Sequence, residues 1–521
     1  MSNCECKTVE NLKAEVSQLR IEKQQLENEK NQLAAEKAML QELLNLEQAR
    51  KFSPKSERSN PNQLELPFEM TELQDAVKEE VAITHVPEHT RSKKTHPNLN
   101  GRVEIPESLP REEIYLDIPE AEKVDKTGAP LQLIGEDITE QLAIKPTEVF
   151  VKRYHRPKYA SSNRRSGEGV KSPELPAHPL NRCKADVSMI TWLLVNKYIN
   201  YLPLYRQRKM LQSYGIDIAE STLNNWANHT AEVLQELWSE LKKEIFKQDF
   251  INADDTPVDV LFPTDKSKAS RKKRHIAEGR LWCYRATSAK LVWFDFSQNW
   301  TNKSPLERLD KFTGYVQSDG YSGYRNAAAR SGFTPVGCWA HVRRKFIEAN
   351  VTPNKIAQKY ILWINILYRI EHKIAELSSC GNYPSGELLE LRKKRAERVM
   401  KKLFKSAKQE QLLPKTPLGR ALTYVINQEK CLKNYVLDLR ITPDNNAAER
   451  AIRPVTIARK NFLFVGSPDA GMNTAVIFSL AESCRANGVD FGEYLNTILP
   501  KLSKNLSGRE LQDLLPHNFS K

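Results

Sequence analysis

Residues 443–461 read PDNNAAERAIRPVTIARKN, a stretch that joins a helix start, one carboxylate and several cations. Asp444 or Asn445 can cap a helix that begins after them, because short polar side chains accept hydrogen bonds from its first N–H groups. Glu449 follows, with the basic residues Arg450, Arg453, Arg459 and Lys460. One carboxylate beside several cations suits a metal ion held against a phosphate backbone, whereas the alternative is a capped surface helix with a solvated basic face.

The chain as a whole is long and basic. Its 521 residues exceed what one hydrophobic core accommodates, so we expect about three to five modules. Lysine and arginine number 79 against 65 aspartates and glutamates, which gives a formal net charge of +14. That balance favours a polyanionic partner, and nucleic acid is the commonest, although ribosome-associated and membrane-surface proteins share it.

Three classes of protein fit the sequence poorly. A membrane span is not expected, because no run of about 18 apolar residues is present. The first residues, MSNCECKTVE, lack the basic-then-apolar order of a secretory signal. The eight cysteines are scattered over the chain, which predicts reduced thiols in a cytosol and no disulfide framework.

Leucines recur every seven residues near the amino terminus. They are Leu12, Leu19, Leu26, Leu33 and Leu40. If these occupy the d positions of a heptad, Lys23, Lys30 and Lys37 fall at a positions. A leucine seam with charged a sites is typical of a coiled coil that gives up stability for partner choice. We predict that residues 1–50 form a leucine-zipper coiled coil through which the chain self-associates, with a solitary solvated helix as the alternative.

The next segments carry weaker signals. Residues 51–110 are polar and rich in proline, which predicts a linker with little core. Short alternating apolar runs follow in residues 111–165, for example at Val149 and Val151. This alternation predicts a small β-rich module.

Residues 180–240 are predicted to be helical and to contain a helix-turn-helix. LPLYRQRKMLQSYG ends in Gly215, and a second helix opens at Glu220 in IDIAESTLNNWANHT. The small core of this unit would comprise Leu204, Leu211, Ile216, Ile218, Leu223 and Trp226. The polar residues that would point outward, toward base edges or phosphates, are Ser221, Thr222, Asn224 and Asn225. An ordinary three-helix packing unit remains the alternative.

From residue 245 the periodicity changes to that of strands. INADDTPVDVLF, GRLWCYRAT and KLVWFDF predict an antiparallel meander. Asp254 and Asp255 are neighbours in the first strand and must point to opposite faces, so only one of them can serve a given site. The loop after that strand is either a phosphate-gripping finger or a solvated loop. Its predicted DNA contacts are Lys268, Arg271, Lys272, Lys273 and Arg274.

GYVQSD predicts a fourth strand that ends near Asp319, and residues 335–339 predict a fifth strand. An aspartate after a strand and before a glycine-containing turn lies where ligands gather in open α/β sheets. The helix that follows supplies the predicted DNA contacts Arg343, Arg344 and Lys345. Cys338 and His341 have the spacing of a zinc-ligand pair. Without a second pair nearby, we interpret them as a packed cysteine and a histidine near the active site.

Residues 351–435 are predicted to be a helical insertion. Residues 356–377 form an amphipathic helix in this interpretation. Residues 392–405 carry eight lysines and arginines against one glutamate, which indicates either a DNA-facing surface or a solvated flank. The interrupted core would resume in residues 436–485 and be followed by a helical tail, 486–521.

Three carboxylates on different elements therefore stand out: Asp254, Asp319 and Glu449. Hard cations such as Mg²⁺ or Mn²⁺ prefer oxygen ligands, and two such ions about 4 Å apart clamp the attacking and leaving oxygens of a phosphodiester. We expect Asp254 to bridge both ions, with Asp319 and Glu449 each holding one. The chain has 65 acidic residues, so three acids alone are weak evidence, and the motifs around them carry the specificity.

Those motifs resemble the TnpC-type transposases of the insertion sequence sixty-six family. The resemblance covers most of the chain. The motifs near the candidate acids are ADDTPV at 253–258, QSDGYSGY at 317–324, CWAHVRRKF at 338–346 and DNNAAERAIRP at 444–454. Further matches are KFSPKSER at 51–58, LIGEDITEQL at 133–142, RPKYA at 156–160 and LPLYRQ at 202–207.

The resemblance implies an activity and a fold. The activity is that of a DDE transposase, which binds the terminal inverted repeats of its element, cleaves the DNA ends and joins the 3′-hydroxyls to target DNA. The expected fold is multidomain α+β: an N-terminal coiled coil, a small β-rich module, a helix-turn-helix, and an RNase H-like mixed α/β catalytic core with a helical insertion. The core segments are then 245–350 and 436–485.

One departure from the family bears on zinc. Family members usually carry two C-x-x-C pairs, and the matching positions here are Val124 and Thr127, then Ser161 and Arg164. None of these side chains binds zinc as a thiolate does. Residues 111–165 are therefore a degenerate zinc-binding-type module, and we expect no structural zinc. The first acidic motif reads DD where the family commonly has DE.

The expected partners are double-stranded DNA at the transposon ends and target, a second copy of the chain, and small accessory proteins of the same element. We expect a bacterial cytoplasmic, nucleoid-associated protein with no membrane partner. A catalytically silent DNA-binding remnant or repressor is the competing function, and a structure-specific or RNA-cleaving nuclease of the same fold is a third.

Overall fold

The structure is a computed structural model, and it describes most of the chain from residue 183 onward. The described residues are 18, 22–27, 29–30, 37, 149–155, 175–180, 183–263, 274–298, 303–350, 354–381, 383–410, 415–503 and 506–519. The chain divides into two compact units, one comprising Lys55–Val151 and the other comprising Met1–Pro54 with Lys152–Lys521. Only 149–151 of the smaller unit are among the described residues.

The described residues of the amino-terminal third test little of its predicted organisation. Residues 22–27 and 29–30 are helical and exposed, in agreement with a helix there, but the leucine seam and the linker lie largely outside the described residues. Residues 149–155 form no strand, so the alternation of Val149 and Val151 does not mark one. Among the described helices, none combines the length and apolar character that crossing a membrane requires.

Between residues 183 and 519, the described part of the larger unit contains five strands and fourteen α-helices. The strands are β1 (Phe250–Pro263), β2 (Arg274–Ala286), β3 (Leu291–Ser297), β4 (Tyr315–Gln317) and β5 (Thr334–Val336). The helices before and within this region are α1 (Val187–Tyr198), α2 (Leu204–Ser213), α3 (Glu220–Val233), α4 (Gln235–Phe246), α5 (Lys303–Arg308), α6 (Ser322–Ser331) and α7 (Trp339–Ala349). The later helices are α8 (Lys355–Ser379), α9 (Ser385–Gln409), α10 (Pro417–Lys433), α11 (Asn446–Phe462), α12 (Pro468–Asn487), α13 (Phe491–Ile498) and α14 (Gly508–Asp513).

The five strands form one mixed sheet in the order β3-β2-β1-β4-β5. The predicted meander is confirmed, because β1, β2 and β3 pair antiparallel. β4 and β5 join parallel to β1 and to each other. The fifth strand ends at Val336, three residues before the predicted end, and Trp339 already belongs to α7.

Helices cover the open edge of the sheet at β3. The hydroxyl oxygens of Ser483 and Ser479 on α12 accept hydrogen bonds from the backbone N–H groups of Val292 and Phe294, at 2.9 and 2.8 Å. Trp238 Nε1 on α4 donates to the Phe294 carbonyl at 2.8 Å. The exposed backbone of an edge strand is a template for unwanted pairing, and here side chains of two helices occupy it.

The predicted helix pair α2 and α3 is present, and Gly215 adopts φ +78° in the connection between the two helices. Three of the six predicted core residues, Leu204, Leu211 and Leu223, are fully buried. The other three, Ile216, Ile218 and Trp226, are partly buried against the same core. That core is continuous with the sheet and with α12 to α14, so the boundary predicted near residue 240 does not separate two hydrophobic cores.

The predicted helical insertion is present as α8, α9 and α10, which form a second core together with α7. Arg392 lies in the basic run of α9, yet its side chain is fully buried. Its Nε donates to Glu371 at 2.7 Å, Nη1 donates to the Asp438 carbonyl at 2.8 Å, and Nη2 donates to the Ile441 carbonyl. This arginine therefore belongs neither to a DNA-facing surface nor to a solvated flank, because it fastens the chain that leads into α11.

α11 continues through Pro454, which has no N–H group to bond the carbonyl one turn earlier. That carbonyl belongs to Arg450, and Arg485 Nη2 on α12 donates to it at 3.4 Å. A side chain of the neighbouring helix thus replaces the missing backbone donor.

We predict that Arg392→Met destabilises the insertion by about 3–5 kcal/mol, because it leaves Glu371 without its cation and two carbonyls without their donor. Urea unfolding followed by tryptophan fluorescence measures the change. Lys401→Met, at an exposed position on the same helix, is the control and should stay within about 0.5 kcal/mol. Equal unfolding midpoints for the two variants would contradict the prediction.

Candidate active site

Two of the candidate carboxylates lie at matching places relative to neighbouring parallel strands, Asp254 within β1 and Asp319 just after β4. β1 and β4 are in register from Phe250 opposite Tyr315 to Asn252 opposite Gln317. Asp254 and Asp319 each follow the last of these pairs by two residues. Parallel strands carry equivalent positions to the same edge of a sheet, so the register itself brings these two residues together.

A chain of three buried amides joins this edge of the sheet to the start of α11. Asn252 Nδ2 donates to Gln317 Oε1 at 2.9 Å and to Asn445 Oδ1 at 3.1 Å. Asn445 Nδ2 then donates to the Ala253 carbonyl at 2.8 Å, and Gln317 Nε2 donates to the Thr442 carbonyl at 2.6 Å. The three amides are at most 1% exposed, and losing one buried partner costs about 1–3 kcal/mol.

The amide chain fixes where Glu449 enters the site. Asn445 occupies the N-cap position of α11, but its side chain makes no capping hydrogen bond. Its Nδ2 donates to the β1 backbone and its Oδ1 accepts from Asn252 instead. Asp444 Oδ1 instead accepts from Asn446 N at 3.1 Å. Of the two predicted capping residues, Asp444 therefore serves the helix, and Asn445 holds the helix to the sheet.

The electrostatics of Asp254 report the proximity of the other two carboxylates. Burial, and next the charge of Asp319, raise the pKa of Asp254 to about 8, and Glu449 acts in the same direction. The Asp255 N–H opposes the shift by donating to Asp254 Oδ1 at 2.9 Å. A bound cation would favour the ionised form of Asp254 and offset the repulsion among the three carboxylates.

Asp255, the neighbour of Asp254 on β1, pairs with a cation of the adjacent strand. Its carboxylate is 9% exposed and forms a 2.5 Å ion pair with Arg280 on β2. Burial raises the pKa of Asp255, while Arg280 lowers it. That only one of the two adjacent aspartates serves the site stays a prediction, and the Asp255–Arg280 ion pair supports it.

α7 brings a second set of polar groups to Glu449. His341 Nδ1 lies 3.7 Å from Glu449 Oε1, and Arg344 Nη2 lies 3.8 Å from Oε2. Burial lowers the pKa of His341 below its ordinary value, so the imidazole is neutral at physiological pH. His341 therefore lies beside the candidate acid Glu449, a pairing that was not anticipated from the sequence.

Cys338 lies at the N-cap of α7 and is buried. Its Sγ accepts the backbone N–H of Asn445 at 3.2 Å, so it packs against the residue that anchors α11. Burial raises the pKa of Cys338 to about 12. Its role in the protein as it stands is that of a packed thiol, as interpreted from the sequence.

The insertion supports the loop that follows Asp319. Tyr424 on α10 packs so closely on Gly320 that a Cβ there would lie 2.4 Å from the ring. Gln428 Nε2 donates to the Gly320 carbonyl at 3.0 Å. A side chain at position 320 would clash with the Tyr424 ring. Contacts from α10 therefore support the turn that follows Asp319.

The donor set of this edge suits divalent cations. Asp254, Asp319 and Glu449 offer carboxylate oxygens, which hard ions such as Mg²⁺ prefer. Glu449 Oε1 is inaccessible to solvent and has no hydrogen-bond partner among the described residues. A buried acceptor without a donor, next to a carboxyl whose ionisation is suppressed, fits an ion-binding role.

The predicted DNA contacts of α11 divide into two groups. Arg450, Arg453 and Lys460 are exposed along one face of the helix. Arg459 instead turns to the sheet, where its Nη1 donates to Thr256 Oγ1 at 2.9 Å and to the Pro257 carbonyl at 2.8 Å. The exposed face therefore begins one residue after Glu449, and Arg459 fastens the helix to β1.

The basic residues of α7 are also engaged within the protein. Arg343 Nε donates to Asn365 Oδ1 at 3.3 Å, and Lys345 Nζ lies 4.7 Å from the centre of the Tyr424 ring. On α3, Ser221 and Asn225 are exposed, and Thr222 and Asn224 are half-buried. DNA binding by any of these residues stays a prediction. Lys268, Arg271, Lys272 and Lys273 lie outside the described residues, as does the side chain of Arg274.

Comparison with known proteins identifies relatives over most of the chain. A family model described as "Transposase IS66 family" matches residues 182–473, and one described as "Transposase C of IS166 homeodomain" matches residues 39–114. The uncharacterised protein y4qI of Sinorhizobium fredii is 28% identical over 498 residues, covering 92% of this chain and 89% of the relative. The uncharacterised protein y4jD of the same organism is 28% identical over 424 residues, covering 80% of this chain and 81% of the relative.

We predict that the metal-free protein loses stability as pH rises from about 4 to about 8, because the folded state holds the Asp254 proton more tightly than the unfolded chain does. Asp254→Asn removes this loss, so the variant should gain on the order of 5 kcal/mol over the parent protein at pH 8 and little at pH 4. Unfolding in chelator at several pH values measures it. Asp259→Asn, exposed on the same strand, controls for the loss of a carboxylate, and parallel pH profiles for parent and Asp254→Asn would contradict the prediction.

Proposed function

The chain belongs to the IS66 transposase family, and from this premise we propose that it is a transposase that cuts and joins DNA. In this proposal it binds the terminal inverted repeats of its own insertion sequence, cleaves the ends and joins the 3′-hydroxyls to target DNA. The family match supports transposition and DNA binding at the coarse level. Two observations support the mechanism: Asp254 and Asp319 occupy matching positions after the β1-β4 register, and the charges of Asp319 and Glu449 raise the pKa of Asp254.

We further propose that the catalytic core is RNase H-like. Support comes from the strand order, in which an antiparallel β1-β2-β3 meander is extended by two parallel strands on the other side of β1. Two candidate acids follow β1-β4 register positions, and the third comes from α11, after the insertion. A rigid sheet is a suitable base for such a site, because a shift of 1 Å in a catalytic group can cost about 100-fold in rate.

Each acid has a separate part in the proposed reaction. Asp254 is the proposed bridging ligand, because the charges of Asp319 and Glu449 both raise its pKa. Asp319 and Glu449 each hold one side of the site. Two Mg²⁺ or Mn²⁺ ions, when bound, would polarise the scissile phosphate and activate first a water and then the 3′-hydroxyl. Arg344, beside Glu449, is positioned to neutralise charge on the phosphate.

The exposed face of α11 is the proposed entry for the DNA backbone. Arg450, Arg453 and Lys460 share that face and start next to Glu449 in the sequence. Contacts to phosphates fix position and carry no base sequence, so sequence-specific recognition of the ends is assigned to another element. The exposed polar side chains at the start of α3 are the proposed readers.

We predict that Asp319→Ala or Glu449→Gln lowers strand transfer in Mg²⁺ by at least about 100-fold, or about 2.7 kcal/mol, because an ion loses a ligand. Binding to the transposon ends, measured by fluorescence anisotropy in chelator, should be nearly unchanged. Glu348→Gln on the exposed face of α7 is the matched control and should retain activity. Unaltered strand transfer in both triad variants would reject the proposed site. If the parent protein binds ends but never cleaves them, the chain is a silent remnant.

We predict that Arg450→Gln with Arg453→Gln weakens DNA binding and flattens its dependence on salt. Each lost phosphate contact lowers the slope of log K against log salt concentration by about 0.9. Arg459→Gln is the matched comparison: it should lower thermal stability, since its guanidinium bonds β1, while leaving the slope as in the parent protein. A slope that changes only with Arg459→Gln would contradict the assignment of the exposed face.

A further inference from the structure

Three potential ligands of different chemistry meet where α7 faces the start of α11. The Sγ of Cys338, a ring nitrogen of His341 and a carboxylate oxygen of Glu449 all lie within 4.8 Å of one another. The sequence offers only the pair Cys338 and His341, because the third ligand is more than a hundred positions away. The fold brings Glu449 to this pair as a third potential ligand, which the sequence spacing did not indicate.

This set differs from the carboxylate cluster in the ions it suits. Sulfur and imidazole nitrogen favour borderline-soft ions such as Zn²⁺, whereas Mg²⁺ requires oxygen ligands. Zinc sites with three protein ligands and an open fourth position are common in proteins, with bonds of about 2.0–2.3 Å. The 3.7 Å between His341 Nδ1 and Glu449 Oε1 is close to the separation of two ligands around such an ion.

Two of the three ligand atoms accept or donate no hydrogen bond among the described residues. His341 Nδ1 and Glu449 Oε1 are both inaccessible to solvent, and neither has a hydrogen-bond partner in the described part of the chain. Leaving two such atoms unsatisfied costs about 1–3 kcal/mol each. An ion between them would satisfy both at once.

The surroundings of Cys338 and Glu449 also resemble those of metal ligands. The Asn445 N–H donates to Cys338 Sγ at 3.2 Å, a contact of the type that orients a sulfur ligand from outside the metal shell. Arg344 pairs with Glu449 Oε2, which leaves Oε1 directed at His341. Cys338 and Glu449 are therefore each held in place by a group outside the proposed coordination shell.

We propose that Cys338, His341 and Glu449 bind a single borderline-soft divalent ion such as Zn²⁺, at a site that shares Glu449 with the carboxylate cluster. Zinc binding here does not depend on the proposed transposase activity. One consequence does rest on that function: an ion held by His341 and Cys338 withdraws Glu449 from the Mg²⁺ site, so micromolar zinc inhibits strand transfer.

Cobalt(II) is the probe for the binding test, because thiolate coordination gives it a near-ultraviolet charge-transfer band and a tetrahedral visible spectrum. The experiment uses the full chain with Cys4→Ser and Cys6→Ser, since these two thiols also lie close together in the sequence. Titration with Co²⁺ should produce both signatures at one ion per chain, and Zn²⁺ should displace them.

Cys338→Ser should abolish the charge-transfer band, and His341→Gln should weaken Co²⁺ affinity by at least about 10-fold, the lower end of the loss seen when even an outer-shell partner is removed. Cys431→Ser, at another buried cysteine, is the matched control and should keep both. Circular dichroism establishes that each variant is folded. Co²⁺ that binds without a thiolate band, or with a band that survives Cys338→Ser, would overturn the proposal.

Activity supplies a separate readout. If the spectra appear but zinc leaves strand transfer unaffected, the shared role of Glu449 is wrong while the binding site stands. If the parent chain lacks strand transfer altogether, the transposase proposal fails and the spectra alone decide the zinc site.

Discussion

The buried hydrogen bonds among Asn252, Gln317 and Asn445 are the constraint on which the candidate site depends. They link β1, β4 and the entry of α11 without any exposed contact. A buried amide needs partners for its polar atoms, and these three bond one another, the neighbouring backbone and the Thr287 hydroxyl. The amides hold β1 and the end of β4 against the start of α11, and these three segments carry Asp254, Asp319 and Glu449. Apolar residues at the same places would pack, but they would not specify this alignment.

The helical insertion contacts the segments that carry the candidate site residues. Its α10 packs on Gly320 behind Asp319, and its buried Arg392 holds the carbonyls of Asp438 and Ile441 just before α11. Its core also includes α7, which carries His341 and Arg344. Residues of α7 to α10 thus share a hydrophobic core that differs from the core containing α11. Changes in the insertion can reach the site through these contacts.

Much of the architecture could be predicted from local patterns. Alternating apolar residues gave the three-strand meander, and the 3.6-residue period gave α8 with Tyr360 and Leu367 inward. Local patterns gave wrong expectations for the burial or partners of residues that contact distant segments of the chain. Arg392 lies in a basic run of the sequence but is buried. Arg459 donates hydrogen bonds to β1. The Asn445 side chain bonds the amide chain and makes no capping hydrogen bond. In each case a long-range hydrogen-bond partner outweighed the local preference.

The sequence by itself determined the element types, the candidate acids and the family resemblance, because periodicity and motifs are properties of neighbouring residues. It also indicated that only one of Asp254 and Asp255 could serve the site, since a strand alternates its side chains. Only the tertiary structure decided that His341, Cys338 and Glu449 adjoin, and that the exposed cations of α11 exclude Arg459. These outcomes depend on which segments pack together across more than a hundred residues, and no local pattern encodes the partner of a buried polar atom.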